Sequence, residues 1–224
     1  MIEVSCHLAA DRKRIAWASQ LVADSRIPAT LGRRGCASGS RSIAGAPWQY
    51  CGVGESDRSF AVIELADLLR LADLAADAEA ELFERNPVGS GRYAGRLLGR
   101  ALCQGAAVHY VDKRNGVKDF DVWSFYAQHD DWPFPARWRG TRDFGPSKFG
   151  RYRGDPESYS GRRIDLLGRS LPVVPGTDPA DAIRRYLAAP QTRSARELAA
   201  KAAVLIYPRD RVGELVWTGG VDQA

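Results

Sequence analysis

The chain is poor in the residues that most often build metal cages and covalent frameworks, with only three histidines and four cysteines among 224 residues. Cys6, Cys36, Cys51 and Cys103 contain no C-x-x-C pair, so the sequence indicates neither a zinc site nor a disulfide framework. Cys6 and His7 are adjacent, and neighbouring residues seldom converge on one metal. No apolar run approaches the roughly 20 residues that span a bilayer, and no charged-then-apolar leader opens the chain. These absences point away from a membrane helix and towards the cytoplasm. No internal repeat is visible. A hydrophobic fraction of 45% with 26% charged residues suits one domain with a substantial core and room for an appendage. The net charge of +5 matters for a polyanionic partner only where the basic residues cluster.

Three stretches divide the chain. Residues 1–58 are dominated by Arg, Ser, Gly and Ala, as in "GRRGCASGSRSIAGAPW", and are expected to be flexible or weakly packed. Residues 59–218 carry the periodic patterns of a folded domain, and residues 219–224 are a tail. Val62, Leu65, Leu69, Ala72, Ala76, Ala80 and Phe83 recur at three- and four-residue steps, with Leu68 widening the stripe, which predicts an amphipathic helix ended by Asn86-Pro87. Tyr93, Leu97, Leu98 and Leu102 predict a second, shorter helix running into "ALCQGAA". "FDVWSFY" predicts a strand, residues 127–161 a long loop, and "RRIDLLG" and "LPVV" two strands parted by a turn. Asp178 before Pro179 marks a helix start. Ser194 with Glu197 forms a capping-box pattern ahead of "LAAKAAVLIY", which Pro208 stops. "VGELVW" reads as a last strand. The segregation of helices from short strands predicts an α+β fold, a small mixed sheet flanked by helices.

"GVKDFDVWSF" is the stretch with chemistry. On a strand, residues two apart share a face, so Asp119 and Asp121 project together while Phe120 and Val122 face the core. Two like charges so placed are costly unless a cation joins them, and Mg²⁺ takes one or two carboxylates while keeping water and phosphate oxygens as its other ligands. Asp165, within the apolar run of "RRIDLLG", supplies a third carboxylate if its strand lies beside the first. Alternation on a solvated edge strand accounts for the same pair without chemistry.

The context "CQGAAVHYVDKRNGVKDFDVW" resembles the nucleotidyltransferase superfamily, which includes DNA polymerase β and the CCA-adding and poly(A) polymerases. There a strand ends at Gly-Gly or Gly-Ser, a helical turn follows, and the next strand carries Asp-x-Asp. The resemblance covers residues 103–167. It sets Gly105 and Ala106 on the glycine pair, Asp119 and Asp121 on the metal-binding aspartates and Asp165 on the third acid. Ala106 departs from the pattern, as do His109 and Tyr110, which stand where an Arg-Asp pair would be. The resemblance implies a nucleotidyltransferase-like fold using Mg²⁺ or Mn²⁺, an NTP as donor, and a nucleic-acid, protein or small-molecule hydroxyl as acceptor. A non-catalytic nucleic-acid-binding module on the same fold is the rival reading. A hairpin turning at Asn115-Gly116 is the rival local structure.

Between Arg137 and Arg169 stand nine basic residues against four acidic ones, interleaved with aromatics. Lys148, Arg151 and Arg153 in "SKFGRYRG" are therefore expected to reach nucleotide phosphates or a nucleic-acid backbone. His109 and His129 are read as structural or surface residues, and Lys201 as a helix-surface lysine, with reach to a phosphate as the rival reading.

Overall fold

The computed structural model describes residues 58–132 and 138–219. The expectations for residues 1–57, and those that fall on 133–137 and 220–224, lie outside the described residues. The first helix, α1 (Leu65–Arg85), starts at Glu64, where the Glu64 and Asp67 side chains each accept the other's backbone N–H. Its buried stripe is Leu68, Leu71, Ala72, Ala75, Ala78 and Glu79, while Leu65 is exposed. The face is thus turned by about one residue from the predicted stripe, which brings Glu79 inward to meet Arg100.

A short helix, α2 (Pro87–Tyr93), follows, and the chain then enters strand β1 (Leu97–Cys103) rather than the predicted second helix. β1 pairs on both edges and is buried almost throughout, so an apolar run with no clean period serves it. Helix α3 (Gln104–Asp112) succeeds it directly, and the Asn115-Gly116 hairpin does not form. Gly116 instead makes the turn into the next strand at φ +63°, with the Phe60 ring where a side chain would go.

The remaining strands are β2 (Phe120–Ala127), β3 (Trp138–Asp143), β4 (Arg163–Leu171), β5 (Ala203–Tyr207) and β6 (Leu215–Trp217). They form one mixed six-stranded sheet in the order β3-β4-β2-β1-β5-β6, in which only β2 and β4 run parallel. β3 lies inside the stretch read as loop. "RRIDLLG" and "LPVV" are not two strands, because β4 runs unbroken through Gly168, paired to β2 on one side and β3 on the other. Helix α4 (Pro179–Ala188) begins as expected, with Asp178 accepting from the Asp181 N–H at 2.9 Å. Helix α5 (Arg193–Ala199) is capped by Thr192, not Ser194, and ends before Lys201 because the chain beyond it is buried as β5, with residues 203–206 fully inside.

Helices cover both faces of the sheet, giving the mixed α+β architecture. On one face Leu68, Leu71 and Ala75 of α1 and Ala106 and Ala107 of α3 pack on Leu102, Phe120, Val122, Ile164 and Val204. On the other, Ile183 and Leu187 of α4 and Leu198 of α5 pack on Ala101, Trp123, Phe125, Leu167 and Leu205. Glu79 and Arg100 form a buried ion pair, and the Tyr126 hydroxyl donates to Glu79 at 2.8 Å. No helix among the described residues is long and apolar enough to cross a membrane.

Candidate active site

Register alone brings the acidic residues together. Cys103, the last residue of β1, pairs with Asp121, and Asp121 pairs with Asp165 on β4. Asp119 sits just ahead of β2, two residues from Asp121 and on the same face. That period also sets Trp123 beyond Asp121 and Arg163 beside Asp165, a signal present in the sequence. The carboxylates therefore share the sheet face carrying α4 and α5, at the end where β1 passes into α3.

A cleft of about 1020 Å³ opens there. Gln104, Gly105 and Ala106 line one side, Asp119 and Asp121 the base, and Ser194, Glu197 and Lys201 the other side. Trp123 and Leu167 supply an apolar floor, and Arg58, Arg114 and Lys118 add positive charge at the rim. Its walls are braced. Gln104 donates to the Glu197 carbonyl at 3.2 Å, tying α3 to α5. Arg169 lies 5.9 Å from the Trp123 ring centroid, donates to Ser194 Oγ at 2.9 Å and also bonds the Tyr186 hydroxyl. The sharp bend after β1 falls on Gln104, at φ 60°, and not on Gly105. A side chain at Gly105 would meet no protein atom within 4 Å, so the glycine leaves open space at the wall.

The carboxylates are held unequally. Arg163 donates from one terminal nitrogen to Asp119 Oδ2 at 3.1 Å and to Asp165 Oδ2 at 3.3 Å, while its Nε lies 3.0 Å from Asp165 Oδ1. Asp155, whose side chain is 1% exposed, stands behind Arg163 at 3.9 Å. Asp121 receives no hydrogen bond or ion pair from the described residues. Its burial, and then the negative charges of Asp119 and Asp165, push its pKa up to about 7, with Lys201 and Arg163 opposing.

Among the described residues no group of three or more His, Cys, Asp and Glu side chains is arranged to hold a metal ion. The donors do fit one hard divalent cation shared by two carboxylates: Asp121 is unsatisfied, and Asp119 spends only Oδ2 on Arg163. Asp165 is the carboxylate most fully engaged by Arg163.

Lys148, Arg151 and Arg153 do not line the cleft. Lys148 pairs with Glu64 and Asp67 at 2.9 Å each, Arg151 donates to the carbonyls of Asp155 and Pro156, and Arg153 is exposed elsewhere. The cations that do line it are Lys118 and Lys201 together with Arg58 and Arg114. No local pattern marks Lys201. It reaches the cleft because α5 stops short and β5 lies next to β1. His109 is structural: the Gly116 N–H donates to its Nδ1 at 3.1 Å, leaving Nε2 to donate to the Ala61 carbonyl. Compared with protein-family models, curated proteins and solved structures, the chain matches none.

Proposed function

We propose that the chain is a nucleotidyltransferase-like protein that moves a nucleoside monophosphate from an NTP to an acceptor hydroxyl, with a divalent cation at Asp119 and Asp121. One observation carries the reading: the Cys103–Asp121 register sets the start of α3 beside Asp119 and Asp121 in one open cleft, with Asp165 paired to Asp121 on the next strand. Mg²⁺ or Mn²⁺, when bound there, would neutralise charge on the phosphates as the leaving group departs. The start of α3 lines the cleft, where its backbone N–H groups would donate to a phosphate, and Lys118 and Lys201 would supply positive charge for the triphosphate. Trp123 and Leu167 offer the apolar surface on which a base or an acceptor ring lies. In the transfer, the acceptor oxygen bonds to the α-phosphorus and the bond from that phosphorus to the pyrophosphate oxygen breaks. Pyrophosphate carries away the electron pair, and the hydroxyl proton passes to water in the open cleft, because Asp165 is engaged on both oxygens by Arg163. An NTP donor places the reaction in the cytoplasm.

Arg163 favours a second reading, in which the fold binds nucleic acid or nucleotide without turnover, because it already neutralises two of the three carboxylates. Incubation of the full chain with α-labelled NTPs, Mn²⁺ and total RNA separates the two. Transfer predicts label incorporation and pyrophosphate release that Asp121→Asn abolishes. Binding without either product, at any of the four NTPs, contradicts it.

A further inference from the structure

Arg163 is the best-anchored cation at the site, and its anchor comes from the insertion between β2 and β4. Asp143 organises that segment, accepting from the Gly145 and Gly161 N–H groups at 2.8 Å and from both the N–H and hydroxyl of Ser160. Buried Arg162 ties it to the sheet by donating to the carbonyls of Phe149 at 3.0 Å and Lys118 at 3.2 Å. Asp155 is thereby fixed, with Oδ2 accepting from the backbone of Tyr152 and Arg163 and Oδ1 left without a hydrogen bond, facing the guanidinium. A planar guanidinium with fixed donors fits two carboxylates at once where a flexible ammonium does not.

We propose that Arg163, positioned by Asp155, is a resident cation that occupies one of the two positions a metal pair would take, limiting the site to one divalent ion between Asp119 and Asp121. The inference rests on the metal-dependent reading of the site above. A second ion would have to displace the guanidinium from Asp165 and break the contacts Arg163 makes to both of its oxygens. The insertion thus acts on the site through a positioning residue, not by delivering Lys148, Arg151 or Arg153 to a phosphate.

Mn²⁺ titration of the full chain without nucleotide, followed by the electron paramagnetic resonance of free Mn²⁺, counts the ions directly. The wild type is expected to bind one ion. Arg163→Gln removes the competing cation and is expected to bind two, or to bind the first about tenfold more tightly. Thermal melts supply a second readout, with a larger Mn²⁺-induced rise in Tm for Arg163→Gln than for wild type. Should Arg163→Gln not fold, Arg163→Lys, which cannot span both carboxylates, carries the test and is expected to bind Mn²⁺ more tightly than wild type. Two ions in the wild type, or unchanged count and affinity in the variant tested, overturn the inference while leaving transfer intact. Failure of either chain to bind Mn²⁺ overturns both, whereas a change from one ion to two without nucleotide transfer upholds the inference and removes the proposed activity.

Discussion

Replacing Asp121 by Asn tests the electrostatics of the cleft without a substrate. The Asp121 carboxyl is pushed from 3.8 to about 7 by burial and by Asp119 and Asp165. In the unfolded chain it titrates near 3.9. Between about pH 4 and pH 7 the native state therefore holds a proton that the unfolded state has lost, and stability falls as pH rises through that window. Above pH 7 the full cost is present, about 4 kcal/mol for a carboxyl raised to about 7. The side chain borders open solvent, which screens part of this and leaves on the order of 2 kcal/mol. Asn resembles the neutral acid, so in the presence of a chelator Asp121→Asn should match the wild type near pH 4. At pH 8 it should exceed the wild type by about 2 kcal/mol, or about 4–8 °C in Tm. Urea and thermal unfolding at both pH values measure the difference. Adding Mn²⁺ at pH 8 should reverse the order, because only the wild type gains a ligand. Stability curves that run parallel from pH 4 to pH 8 would refute the argument that Asp121 is forced against its neighbours.

Other consequences are local. Lys118→Ala and Lys201→Ala should each weaken NTP binding by about tenfold in isothermal titration, the scale of one charge-assisted hydrogen bond, whereas Arg153→Ala should leave it unchanged. Glu79→Ala removes the carboxylate that pairs with the buried Arg100 guanidinium and accepts from the Tyr126 hydroxyl, so urea unfolding should show a loss of about 3–5 kcal/mol. A methyl group at Gly161 would sit 1.8 Å from the Gly145 carbonyl oxygen. Gly161→Ala should therefore displace the insertion and expose it to limited proteolysis even if the sheet survives.

Where one face of an element meets solvent and the other the core, the pattern is legible in the sequence, as for α1 and for α4 with its Asp178 cap. The carboxylate pair is legible too, since alternation on β2 fixes the side of the sheet on which Asp119 and Asp121 lie. Elements buried on both faces are not legible in that way. Leu97–Cys103 and Ala203–Tyr207 are mostly apolar without a strand period, so they are read as helix although both are strands. The helix expected across Lys201 fails because its second half is needed as β5, beside β1. That pairing, invisible locally, carries Lys201 into the cleft. Arg163 was within reach of the alternation applied to Asp119 and Asp121, but its engagement by Asp155 depends on the fold of the insertion. The basic charge of "SKFGRYRG" misleads because Lys148 and Arg151 spend their hydrogen-bonding capacity on α1 and on the insertion's own backbone.

Anomalous diffraction from crystals soaked with Mn²⁺ and a non-hydrolysable NTP tests the central claim most directly. The account predicts a peak within coordination distance of Asp119 and Asp121, with the triphosphate running from it towards the start of α3 and the nucleotide near Trp123. Mn²⁺ or nucleotide bound elsewhere, with Asp121 left bare in an unoccupied cleft, would contradict it.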